Sequence, residues 1–255
     1  MSCDLRYKSH VILDGKYNLE GLPAVYASEE EAQTLEILME DPVTGVKVVL
    51  LYGVLPAQDI ITRSVSVKNE SSGKIYLNKI ESASLDFLYG DYELLTFYGR
   101  HAMERNVQRV PVVHGTQKIG SVRGTSSHQY NPMMILAEKE TTEDAGTCYG
   151  MSFVYSGGFK AEVEKDQFGQ TRMQMGLQEE QFSYPYNPEL CSMDSHHRND
   201  LHSLPLFLLL HLSVILSFLR SLCSTSVSFL YRKSIPQMEE KKQYFESREE
   251  WYFYS

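Results

Sequence analysis

The chain has 255 residues, 42% of them hydrophobic and 22% charged, an ordinary globular composition that excludes wholesale disorder. Its formal net charge of −9 excludes a surface built to neutralise nucleic-acid phosphates, because such a surface needs an excess of Lys and Arg. The four cysteines (Cys3, Cys148, Cys191, Cys223) contain no CxxC pair, so no zinc ribbon or redox motif is present, and reduced thiols in a cytoplasmic protein are expected.

The amino terminus, Met1 to Lys8, is charged and lacks the apolar run of a secretory signal. The sequon Asn69-Glu70-Ser71 is therefore not expected to carry glycan. From residue 11 to about 186 the pattern is one of strands separated by turns. In Leu35 to Glu40 apolar side chains alternate, the period of a half-buried strand. Asp41-Pro42-Val43-Thr44-Gly45 supplies turn chemistry, and Val46, Val48, Leu50 and Tyr52 then share one face, which predicts a hairpin.

Ile61, Val65 and Val67 share a face of the next strand, which ends at Asn69 to Gly73. One strand is predicted from Lys74 to about Phe87. Two more, Cys148 to Tyr155 and Phe159 to Glu164, flank Ser156-Gly157-Gly158, and another runs from Thr171 to Leu177. The only helical hint is a turn around Glu29 to Gln33. Many closely spaced strands with Gly and Asn turns predict an all-β, antiparallel sandwich rather than βαβ units.

The composition shifts near residue 187. His196, His197, His202 and His211 are half of all the histidines, and Leu204 to Leu219 is apolar except for Pro205, His211, Ser213 and Ser217. A membrane-spanning helix needs about 20 apolar residues; this run is shorter and has Pro205 near its start. No amphipathic face supports a buried helix. Residues 187–255 are thus expected to be an atypical tail, frame-shifted or disordered, with a membrane anchor over 204–219 as the alternative.

Chemistry-bearing motifs are sparse. Cys191, His196, His197 and His202 lack the paired spacing of zinc ligands, and no metal or cofactor is expected. There is no Gly-x-Ser-x-Gly elbow, Walker loop or dinucleotide fingerprint. The carboxylates Asp86, Asp91, Glu104, Asp144, Glu162, Glu164 and Asp166 read as solvated charges, since glycoside cleavage needs two facing acids that sequence alone does not pair. His114 reads as a structural histidine beside a turn. The segment Arg123 to Pro132 is different: ten small, polar, turn-forming residues between strands make a long loop. There Arg123 and His128 are candidates to bind a carboxylate, a sugar hydroxyl or a neighbouring domain, against the competing reading of a self-bonded structural loop.

Several segments carry a resemblance. Leu22 to Tyr26, Glu31 to Ile37, Ile61 to Ser64, Ser82 to Phe87, Glu104 to Val107, Ser121 to Pro132, Tyr149 to Gly157 and Thr171 to Gly176 are colinear with one pattern from about Leu5 to Phe182. The chain resembles the amino-terminal domain of bacterial α-galactosidases of glycoside hydrolase family thirty-six. The resemblance implies a β-supersandwich of the galactose-mutarotase kind over residues 1–186. It also implies a retaining, metal-free activity on terminal α-galactosides such as melibiose and raffinose, and assembly as a homotetramer.

The catalytic residues of that family lie in a barrel, in Lys-Trp-Asp and Asp-Asp-Gly-Trp motifs. Neither exists here; the single tryptophan, Trp251, follows Glu249-Glu250. A barrel takes about 250 residues, more than follow residue 186. No catalytic residue is expected in this chain, and its sandwich is expected to be incomplete at its start. The leading expectation is a fragment of an α-galactosidase, inactive alone. A stand-alone carbohydrate-binding module and a membrane-tethered accessory protein are the alternatives.

Overall fold

A computed structural model describes residues 4–19, 25–180, 183–187 and 208–213. Its architecture is an antiparallel β-sandwich with one short 3-10 turn, Pro56–Gln58. Among the described residues no helix is long and apolar enough to cross a membrane.

The first four strands form a meander: β1 (Arg6–Asp14), β2 (Gln33–Glu40), β3 (Val46–Leu55) and β4 (Ile60–Asn69). The predicted hairpin is present, with Glu40 opposite Lys47 and Gly45 at φ 74 in its turn. Asp41 fixes that turn, its Oδ1 accepting from the N–H groups of Val43 (2.9 Å) and Thr44 (3.2 Å). Asn69 is fully buried at the end of β4. Its amide donates to the carbonyls of Gly73 and Tyr186, so the sequon asparagine is consumed as a structural tie.

The strand predicted from Lys74 to Phe87 is interrupted. It divides into β5 (Ile75–Leu77) and β6 (Glu81–Phe87), which belong to different sheets. Then come β7 (Tyr92–Arg100), β8 (Met103–Pro111), β9 (Gly115–Gly120), β10 (Tyr130–Glu138), β11 (Cys148–Phe153), β12 (Phe159–Lys165), β13 (Thr171–Leu177) and β14 (Tyr184–Tyr186). In the apolar run of the tail, Leu208–Ser213 forms strand β15. The rest of the atypical tail, apart from residue 187, lies outside the described residues.

Nine strands make the large sheet, in the order β1-β2-β3-β4-β15-β11-β10-β7-β8. Four make the facing sheet, β6-β13-β12-β9, and β14 pairs with β5. The glycine turn between β11 and β12 carries the chain from one sheet to the other. Side-chain alternation explains the core between them. Leu94, Met134, Leu136, Met151 and Phe153 from the large sheet meet Ala83, Phe159, Ala161, Val163, Met173 and Met175 from the small one, all buried. The intervening residues Leu95, Phe97, Ile135 and Ala137 form a second cluster, so β7 and β10 are buried on both faces.

On β12, Lys160 follows the inward-facing Phe159 and is itself buried. Its Nζ lies 3.0 Å from Glu179, 3.1 Å from Glu162 and 3.3 Å from Glu81. Burial disfavours its charge, but hydrogen bonds to Glu179 and Glu162 and the charges of Glu81 and Glu162 outweigh that and raise its pKa. Burial also pushes the Glu81 carboxyl up, against the two lysines nearby, whereas the hydrogen bond from Lys160 holds Glu179 below its ordinary range.

Two outcomes follow from this packing. Phe159→Ala should cost about 3–5 kcal/mol of unfolding free energy by urea titration, through lost burial and an unfilled cavity. Glu179, with its folded pKa depressed, contributes stability that is present above an unfolded pKa of about 4.3 and fades as pH falls through the folded value. Glu179→Gln should therefore lower the melting temperature near pH 7 and leave it unchanged at the acid end, where the wild-type carboxyl is also neutral.

Candidate functional site

The loop between β9 and β10 is held by its base. Ser121 is buried, its N–H donates to the Phe159 carbonyl (2.9 Å) and its hydroxyl to the Thr125 carbonyl (2.6 Å). The Ser126 N–H donates to the Ser156 carbonyl (2.8 Å), which ties the loop to the glycine turn between β11 and β12. A Cβ on Gly158 would come 3.0 Å from the Ser121 carbonyl, so a larger residue there would require the two turns to give by a few tenths of an ångström. The backbone of this loop is thus self-bonded.

The two candidate side chains behave differently from that backbone. Arg123 and His128 are both exposed. Among the described residues neither side chain makes a hydrogen bond or ion pair, and none joins them to each other. The structure therefore leaves Arg123 facing solvent and brings His128 toward a second element.

That element is the tip of the β7–β8 hairpin. Tyr130, at the end of the loop, pairs with Tyr98, which sets the loop beside the tip. There the His128 charge acts on Glu104. The tip is tightly specified. Ala102 and Arg105 both adopt φ 61, a left-handed conformation that costs a non-glycine residue about 1–2 kcal/mol. A Cβ on Gly99 would collide with the Met103 carbonyl. Asn106 donates to the carbonyls of Met103 (2.9 Å) and Tyr98 (3.4 Å), and the Ala102 N–H donates to Glu104 Oε1 (2.9 Å). Hydrogen bonds from its own N–H and that of Ala102, with the charges of His101 and His128 behind them, hold the Glu104 carboxyl below its usual range.

Sequence alone does not single out the tip, and it reads Glu104 as an ordinary solvated acid. Its signal was present in the family-like stretch Glu104 to Val107 and in Gly99, but positive φ at Ala102 and Arg105 leaves no mark in residue type. Other acids have structural partners. Asp86 pairs with Arg172 through two contacts (2.6 and 3.1 Å), Asp166 accepts from the N–H groups of Phe168 and Gln170, and Glu162 serves Lys160. Among the described residues no group of three or more His, Cys, Asp or Glu is placed to hold a metal ion.

A loop and a strained hairpin thus form a polar end to the sandwich. The sequence profile of the glycosyl hydrolase family 36 N-terminal domain matches residues 1–186. The chain belongs to this family. It is 61% identical over 184 residues to the bifunctional alpha-galactosidase/sucrose kinase AgaSK of Mediterraneibacter gnavus, covering 72% of this chain and 20% of that protein. To alpha-galactosidase Mel36A of Lactobacillus acidophilus it is 43% identical over 185 residues, 72% of this chain and 25% of the relative.

Among solved structures it is similar to the family 36 alpha-galactosidase AgaA of Geobacillus stearothermophilus, with TM-score 0.77 and 38% identity over 84% of this chain and 28% of that one. AgaA variants have been solved with stachyose and with raffinose bound. The chain spans roughly a quarter of the length of these relatives, and its residues 1–186 match the N-terminal domain of family 36. The resemblance carried by Leu22 to Gly176 and the expected β-sandwich both hold.

Because neither side chain makes a hydrogen bond or ion pair among the described residues, Arg123→Ala and His128→Ala should each move the unfolding free energy by less than about 0.5 kcal/mol. Arg105→Gly should stabilise by about 0.5–1 kcal/mol, since relief of the left-handed conformation exceeds the added unfolded-state entropy. Thermal and urea melts of the three variants check both statements.

Proposed function

We propose that this chain is the amino-terminal sandwich of an α-galactosidase acting on raffinose- and stachyose-type oligosaccharides, with the bond-breaking groups outside the described residues. The supporting observation is the match of residues 1–186 to a family 36 domain whose relatives are α-galactosidases, combined with a site end that offers no pair of free acids. Retaining hydrolysis needs two carboxyl groups about 5–5.5 Å apart across the scissile bond. Here Asp86, Glu162 and Asp166 are tied into the sheets and turns, and Glu104 into its own hairpin.

In this reading the exposed Arg123 and His128, and the tip bearing Glu104, are contact groups directed at the remainder of the enzyme or at bound sugar. Assembly as a homotetramer, which the family resemblance implies, belongs to the same proposal.

Purified chain incubated with p-nitrophenyl α-galactoside should release no nitrophenol above the buffer rate; a robust rate abolished by mutation of any residue of this chain would overturn the assignment. Calorimetric titration with raffinose separates this reading from a stand-alone sugar-binding module. A flat trace is expected here, and saturable binding would favour the module.

A further inference from the structure

We propose that the end of the sandwich bearing Leu88, Tyr89, Val113 and Phe168 is a docking surface covered by residues 214–233 of this chain, an apolar and basic segment drawn to it by an acidic rim. The proposal is independent of the galactosidase reading.

Three turns build the surface. Leu88 and Tyr89 follow β6, Val113 precedes β9, and Phe168 joins β12 to β13. Thr171 lies opposite Phe87 and Lys165 opposite Gly115, so strand register brings all three turns to one end of the small sheet. The Lys165 Nζ, 3.5 Å from Asp91, ties the β6–β7 turn to β12. The four apolar side chains are nonetheless exposed, Tyr89 to 87% and Phe168 to 78%. Single exposed apolar residues are ordinary, but four on adjoining turns mark an interaction surface.

The turns are also fixed. Asp166 Oδ1 accepts from the N–H groups of Phe168 and Gln170, both at 2.8 Å. The Tyr92 hydroxyl donates to the Tyr89 carbonyl (2.9 Å). A surface formed in advance loses little conformational freedom when a partner settles on it.

Charge selects the occupant. The β10–β11 loop, 139–147, lies at this same end because Glu138 pairs with Tyr92. Across 88–91, 112–114, 139–147 and 166–170 the acids are Asp91, Glu140, Glu143, Asp144 and Asp166, against one lysine, Lys139. Segment 214–233 carries Arg220, Arg232 and Lys233 with no acid, and it opens on Val214, Ile215, Leu216, Phe218 and Leu219. Residues 234–255 reverse the sign, with five glutamates against Lys241, Lys242 and Arg248, so the same rim repels them.

Connectivity delivers the segment to this end. Ser213, the last residue of β15, lies opposite Cys148, the first residue of β11 after the β10–β11 loop. The chain therefore leaves the large sheet beside the acidic rim and away from the glycine turn that follows Phe153. Packed sheets lie about 10 Å apart. At roughly 3.3 Å per extended residue, three residues cross that distance. Val214 to Leu216 thus suffice to bring Phe218 and Leu219 over Phe168 and Tyr89.

Photocrosslinking of the full chain tests this. With Phe168→p-benzoylphenylalanine, irradiation should give an intrachain product whose peptide map places the link within 214–233. Val122→p-benzoylphenylalanine, equally exposed but at the opposite end of the sandwich, should give several-fold less of it. The combined variant Arg220→Glu, Arg232→Glu, Lys233→Glu should reduce the product from position 168 several-fold, because its charges then oppose the rim. The docking surface is refuted by equal products from positions 122 and 168, by links only to 234–255 or only between chains, or by no product at all. An undiminished yield in the charge-reversed variant would overturn recognition through the rim.

Discussion

Burial of one continuous apolar layer between the two sheets is the interaction on which the rest of the molecule depends. Phe159, Ala161, Val163, Met173 and Met175 project from the small sheet onto Leu94, Met134, Leu136, Met151 and Phe153 of the large one. Antiparallel pairing supplies the alternation that puts these residues on one side. Main-chain ladders then satisfy the peptide groups that such burial would otherwise strand. Methionine is frequent in the layer, and its unbranched side chain fills the irregular space left between twisted sheets.

Because that layer is rigid, the segments at its margin can be held in costly conformations. The β7–β8 tip keeps two non-glycine residues in the left-handed region, and it does so at the end of strands buried on both faces. The β9–β10 loop is tied to the same body through Ser121 and Ser126. The consequence is a polar end with defined geometry whose outermost side chains, Arg123 and His128, are not spent on the fold.

The large sheet shows a second dependence. Among the described residues its two halves are joined through β15, a segment that lies outside the family-matched residues. Composition marked this stretch as foreign to the body, and its His and Leu content gave no period by which to place it. In the structure it is a central strand, because main-chain pairing between two bare edges does not ask for a particular side-chain pattern.

By itself the sequence determined the class of fold, the β2–β3 hairpin with its Asp41 turn, the core strands β11 to β13 and the family of residues 1–186. Each of these rests on local information: period-two alternation, turn residues, or short motifs in fixed order. It also established that a metal or nucleotide site was not to be sought in familiar motifs. Only the tertiary structure divided Lys74 to Phe87 between two sheets, set Lys160 among three glutamates, brought His128 toward Glu104 and inserted Leu208–Ser213 between β4 and β11. The reason is the same in each case. These are meetings of residues distant in the chain, decided by sheet order and register, and neither alternation nor residue type encodes which strand will be the neighbour.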